Sequence, residues 1–229
     1  MKKIGIIGGL GPLATVDFFK KIVENTNAKK DQDNIPILIY NNPQIPDRTE
    51  AILNNGPSPV REIVSTGKIL EKMGADFLVM PCNTSFYFYD QVQGQLDLKL
   101  INMIDLTVNY LDENSCKNVC ILGTEGTLKG GVYYKKLEDK GINSIKADDE
   151  LIDLLSYVIY DVVKKNNFGK DISKFINKLK DIERKEDVDV FVLACTELPI
   201  LFEKYNLDFN TVDPTYLLAL ESIKLARKE

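Results

Sequence analysis

Phe77-Leu78-Val79-Met80-Pro81-Cys82-Asn83-Thr84 and Val190-Phe191-Val192-Leu193-Ala194-Cys195-Thr196-Glu197 are two versions of one local pattern. In each, a short apolar run (77–80 and 190–193) leads to a cysteine and then to small polar residues. Such runs read as strands buried on both faces of a parallel sheet. The polar residues that follow mark the passage from strand into loop and helix start. Cysteines at two equivalent strand ends, one in each half of an α/β chain, would face each other across a cleft. That arrangement suits chemistry needing two thiols on opposite sides of one atom.

The layout outward from these runs repeats. Residues 3–7 form a short apolar strand ending in Gly8-Gly9-Leu10-Gly11-Pro12, and 14–25 carry a helical apolar period, with Pro12 well placed near the helix start. A strand over 35–40 precedes the polar loop 41–49. A helix follows over 60–73 with Gly74 as its C-cap, then the first cysteine strand, a helix over 86–95 and a short strand over 100–103. The pattern restarts with a strand over 119–122 and the loop Gly123-Thr124-Glu125-Gly126-Thr127. Helices over 131–140 (capped by Gly141), 151–165 and 172–186 lead to the second cysteine strand, and a helix over 217–226 closes the chain. Strand, glycine loop and helix, followed later by strand, cysteine loop and helix, occur twice. The fold class expected is α/β, with two pseudo-symmetric parallel-sheet lobes and the active site in the cleft between them. The expected division is 1–98 plus 213–229, an N-terminal lobe completed by the C-terminal helix, and 99–212, a second α/β lobe. Ligands of such folds bind beyond the carboxyl ends of the strands, where both cysteines and both glycine loops fall.

Composition narrows the chemistry. A net charge of -5 over 229 residues, with no basic block, argues against a nucleic-acid partner and for no membrane partner. No apolar stretch has the length of about 18 residues that a membrane span needs. The glycines and Pro12 arrive too early for the apolar core of a signal peptide, so cytoplasm is the expected location. Four cysteines are too few for a disulfide-built fold. Cys82 and Cys195 lack the close-spaced partners of a zinc site, so no metal is expected; Cys120, in an apolar run, reads as core. The chain contains no histidine, which excludes Ser-His-Asp and Cys-His triads and HExxH sites. Any general base must be Cys, Asp, Glu, Lys or Tyr.

Several constellations carry two readings. Gly8-Gly9-Leu10-Gly11 lacks dinucleotide-loop spacing; it is a tight helix-entry turn or a backbone nest for a carboxylate through Gly9 and Gly11. The loop holding Thr124 and Thr127 is a small-anion cradle or a structural turn. Each cysteine is a buried small hydrophobe or, near a helix N-terminus, a thiol whose ionisation is favoured. Arg48, in the rigid loop Asn41-Asn42-Pro43-Gln44-Ile45-Pro46-Asp47-Arg48-Thr49, is a solvated residue or a bidentate carboxylate ligand. Asp47 caps the next helix or orients a thiol or ammonium group. Lys164 and Lys165 read from sequence as a solvent face.

Ile4-Gly5-Ile6-Ile7-Gly8-Gly9-Leu10-Gly11-Pro12, the 41–49 loop, Met80–Thr84 and residues 194–199 together resemble the aspartate/glutamate racemase family, most closely aspartate racemases that work without pyridoxal phosphate. The resemblance covers nearly the whole chain. It implies two pseudo-symmetric α/β lobes, a homodimer, no cofactor and a small amino-acid substrate. Cys82 and Cys195 would be the acid and base on opposite faces of the substrate Cα. Arg48 would hold the side-chain carboxylate, with Lys164 assisting from the other lobe. Asn83, Thr84, Thr124, Thr127 and Thr196 match residues that receive the α-carboxylate and α-ammonium, and Asp47 and Glu197 match acidic neighbours of the thiols. One departure stands out: many members have His soon after the first cysteine, and this chain has Phe86, an apolar ring expected to alter the site mouth, substrate range or rate.

The activity implied is interconversion of L- and D-aspartate. The alternatives are racemisation of glutamate or another amino acid, a two-cysteine dicarboxylate isomerase, and a non-enzymatic amino-acid-binding module.

Overall fold

Ile4–Gly8 (β1) is buried at every position, as a strand covered on both faces of a sheet must be. It pairs in parallel with β2 (Ile37–Asn41) on one side and β3 (Phe77–Val79) on the other. The computed structural model describes residues 1–227 and divides the chain into two units. The first comprises Met1–Met103 with the chain from Thr215 on; the second is Ile104–Pro214. Residues 228–229 of the expected N-terminal lobe lie outside the described residues.

The first unit carries the three-stranded sheet β2-β1-β3, with α1 (Pro12–Asn25), α2 (Arg48–Leu53), α3 (Val60–Lys72) and α4 (Tyr89–Gln93) along its connections. Pro12 opens α1, where its missing N–H costs no hydrogen bond. The helix expected over 86–95 is a 3-10 turn, Thr84–Phe88, followed by the short α4. The strand expected over 100–103 does not form. Leu100 makes one isolated parallel bridge with Leu78, and Met103 already begins α5 (Met103–Glu113). Beyond Val79 the chain turns through Pro81, which has no N–H for a ladder, so a longer fourth strand has little to pair with.

The second unit holds a four-stranded parallel sheet in the order β5-β4-β6-β7. Its strands are β4 (Asn118–Gly123), β5 (Asn143–Ile145), β6 (Val190–Ala194) and β7 (Thr211–Val212). β5 and β7 escape sequence reading because neither offers an apolar run; pairing with β4 and β6 creates them. Around them run α6 (Glu125–Lys129), α7 (Tyr134–Asp139), α8 (Asp149–Ser156), α9 (Ser173–Glu186) and α10 (Glu197–Lys204). The helix expected over 151–165 is not uniform: α8 ends at Ser156 and Tyr157–Val163 is a π-helix. There the ladder widens to i→i−5, with Lys164 N–H donating to Ile159 O at 3.0 Å and Asn167 N–H to Val162 O at 2.7 Å.

The last helix, α11 (Pro214–Arg227), belongs with the first sheet. Lys2 N–H donates to Ala226 O at 2.8 Å, the Tyr216 hydroxyl to Asn25 Oδ1 at 3.2 Å, and Arg227 to Thr26 O. Among the described residues no helix is long and apolar enough to cross a membrane.

Candidate active site

In the first unit the parallel register decides which loops meet. Ile6 pairs with Val79 and Gly8 with Asn41, so the glycine loop after β1 lies alongside both the cysteine loop after β3 and the 41–49 loop after β2. Cys82 is buried, and its N–H closes a tight turn on Met80 O at 2.8 Å. Asn83, Thr84 and Ser85 follow, all buried. Ser85, which sequence did not single out, has a fully buried hydroxyl oxygen without a hydrogen-bond partner. Its only sequence signal is its position three residues after the cysteine. Phe86 packs inside the unit, stacked on Tyr89 with ring centroids 5.8 Å apart, so its ring is a core element of the cysteine loop and not an exposed rim.

The glycine loop makes a tight turn into α1. Gly9 has φ +90°, and its N–H donates to Thr15 Oγ1 at 3.1 Å, so that donor is already engaged. The Thr15 hydroxyl in turn donates to Gly11 O at 3.1 Å. Asp47 caps α2: its Oδ1 accepts the Glu50 N–H at 3.0 Å. Asp47→Ala should therefore lower stability by about 1 kcal/mol, the usual effect of losing such a cap. Chemical denaturation would measure it, and an unchanged midpoint would refute the capping role.

Arg48 is half-buried on α2, which packs against the 3-10 turn that follows Cys82. Its Nη1 donates to Ile45 O at 3.4 Å and Pro46 O at 3.0 Å, and its Nη2 to Leu10 O at 3.2 Å. A guanidinium has five N–H donors. These three bonds tie the 41–49 loop to the glycine loop and leave one Nη2 hydrogen and Nε–H, and the buried Nε has no partner. A carboxylate is the natural acceptor for such a remaining pair of donors.

In the second unit the register Gly123↔Ala194 puts Thr124 beside Cys195 at the carboxyl ends of β4 and β6. A Cβ on Gly123 would lie 3.0 Å from Ala194 O and 3.3 Å from the Thr127 side chain, so these loops are in close contact. Thr124 caps α6, its Oγ1 accepting the Thr127 N–H at 3.3 Å, and the two hydroxyls lie 3.1 Å apart. The Cys195 Sγ–H donates to Glu197 Oε2 at 3.0 Å, and the Thr196 hydroxyl donates to the same oxygen at 3.1 Å. All three residues are buried.

The expectation that the helix start favours a thiolate fails at Cys195. Burial pushes this thiol well above its ordinary pKa, and the Glu197 charge and hydrogen bond push the same way. The Glu197 amide and the Lys164 charge oppose the shift and do not overcome it. Lys164, at the end of the π-helix, holds its Nζ 4.4 Å from the centre of the Tyr160 ring, a second residue sequence reading passed over. Cys120 is core, as expected, and burial pushes its thiol to about 12.

The site thus consists of two parallel α/β units, each with a buried cysteine just past a strand end. The chain belongs to the Asp/Glu/hydantoin racemase family, whose model matches residues 7–221. Its structure is similar to that of the aspartate racemase of Picrophilus torridus, with a TM-score of 0.87 and 37% identity, covering 100% of this chain and 96% of that one. It is 25% identical to a broad-specificity amino-acid racemase of Bacillus subtilis (strain 168) over 96% of each chain. A glutamate racemase of Aquifex pyrophilus is 26% identical over 70% of this chain and 63% of its own length.

Proposed function

We propose that the protein interconverts L- and D-aspartate by proton transfer at Cα between Cys82 and Cys195, without a cofactor. The observation that carries the chemistry is the matched pair of buried cysteines, each just past the carboxyl end of a parallel strand in a chain of this family. What supports aspartate as substrate is the 37% identity with the Picrophilus aspartate racemase along the whole chain. The unpartnered, buried Nε–H of Arg48 supports an acidic side chain.

One thiolate removes the α-proton while the opposite thiol donates one to the other face, and in the reverse direction the roles exchange. This mechanism requires one cysteine ionised and the other protonated, a state that belongs to the pair. The Cα–H is very weakly acidic, so the planar carbanion needs its carboxylate charge met by donors in a site that excludes water. Asn83, Thr84, Thr124, Thr127 and Thr196 are buried near one or other cysteine in their own unit and are assigned to the α-carboxylate and α-ammonium. Arg48 and Lys164 are assigned to the distal carboxylate, whose binding energy sets the distance from thiol to Cα.

A second reading, racemisation of glutamate or of several amino acids, is favoured by the relatives from Aquifex and Bacillus. Separate incubations with L-aspartate, L-glutamate, L-homoserine and maleate in D2O, followed by chiral chromatography and mass measurement, separate the two. Growth of D-aspartate carrying one deuterium is the expected result. No D-aspartate, with product from glutamate or homoserine, would overturn the assignment; turnover of maleate would point to a dicarboxylate isomerase instead.

A further inference from the structure

Glu197 is only 4% exposed, and a carboxylate so buried must find hydrogen-bond donors. It finds two on one oxygen: the Cys195 thiol at 3.0 Å and the Thr196 hydroxyl at 3.1 Å. The three residues are consecutive at the start of α10, so the backbone itself brings carboxylate and thiol together. The thiol bond exists only while Cys195 carries its proton, because a thiolate cannot donate to a carboxylate and would stand beside a like charge. The charged groups acting on this sulfur come from two elements: Glu197 of α10, and Lys164 at the end of the π-helix that packs against it.

We propose that Glu197 is a positioning residue that holds the resting proton on Cys195, making Cys82 the base and Cys195 the acid of the free enzyme. This rests on the racemase reading above and adds a direction to it. The Cys82 thiolate takes the α-proton: the Cα–H bond breaks, an S–H bond forms, and the electron pair stays on Cα. The Cys195 S–H bond then breaks, its proton joins Cα from the other face, and its electron pair stays on sulfur. Turnover leaves a Cys195 thiolate against the Glu197 carboxylate, so Cys195 regains a proton from water while Cys82 releases one. The enantiomer whose α-proton faces Cys82 meets a ready enzyme, and its mirror image waits for that exchange.

The test is alkylation of the full chain by iodoacetamide across pH, with peptide mass spectrometry reading each cysteine separately. In the native protein the Cys195 midpoint should lie above that of the same cysteine in the urea-unfolded chain. Glu197→Gln should bring it down by roughly one pH unit or more, the usual scale for removing an adjacent like charge. An unchanged midpoint in a folded Glu197→Gln variant would overturn the proposal. So would a native wild-type midpoint at or below the unfolded one, a result that needs no variant. Because the titration uses no substrate, it stands apart from the racemase assignment: absence of racemisation by the wild type would remove that assignment and leave the Cys195–Glu197 result intact.

Discussion

Cys82→Ser and Cys195→Ser are each expected to lower the rate of aspartate racemisation by about a thousandfold or more, the upper part of the range for losing a general acid or base. A serine hydroxyl nearly matches the thiol in volume, so packing around these buried positions changes little. Its far higher pKa removes the base in one direction and weakens the acid in the other. The variants should keep a distinctive residue of activity. With one thiol left, the enzyme can still exchange the α-hydrogen of the enantiomer that presents it to that sulfur. Deuterium should therefore enter only one enantiomer of the substrate pool, and the opposite one in the other variant. Polarimetry or chiral chromatography measures the lost racemisation, and mass measurement the one-sided exchange. Substantial racemisation by either variant would sink the two-thiol mechanism.

Gly9→Ala carries the largest expected effect on stability. Gly9 has φ +90°, and a Cβ built there would lie 2.3 Å from both the carbonyl carbon and the oxygen of Asn42. The obstacle is backbone, held in place because Asn42 N–H donates to Gly8 O at 3.2 Å and its side-chain amide to Thr66 Oγ1 at 3.1 Å. No rotamer change relieves the clash, so the glycine loop and the 41–49 loop must separate. The expected loss is about 3 kcal/mol or more, combining steric overlap with an unfavourable φ. Gly141→Ala is the control: φ is also positive, +65°, but nothing lies within 4 Å of the new methyl group. Its cost should be the conformational part alone, about 1–2 kcal/mol. Denaturation midpoints compare the two, and equal losses would show that the approach of Asn42 to Gly9 is not the constraint.

Much of the fold is legible because parallel strands buried on both faces become continuous apolar runs. Ile4–Gly8, Asn118–Gly123 and Val190–Ala194 stand close to where their sequences put them. Residues 100–103 mislead for the same reason: Leu-Ile-Asn-Met looks apolar enough for a strand, but only Leu100 finds a bridge. The π-helix is invisible in sequence because an apolar period reports which face is covered and not how the carbonyls are paired. The site follows a similar line. Residue types and spacing single out both cysteines, the Thr124–Thr127 loop and Arg48 as candidates, while the cap that Asp47 supplies to α2 and the bond from Gly9 N–H to Thr15 are contacts that only the folded chain displays.

The sequence by itself determined the chemical inventory: two thiols in matching strand-end loops, no histidine, and an arginine in a proline-braced loop. These follow from local pattern, since strand burial and loop entry are written in neighbouring residues. Only the tertiary structure decided the state of those groups. It gives the Cys195 proton a carboxylate partner 3.0 Å away, and it ties the Arg48 Nη donors to backbone carbonyls while leaving the buried Nε without a partner. Protonation depends on burial and on charges a few ångströms away, and those distances exist only once the chain has folded.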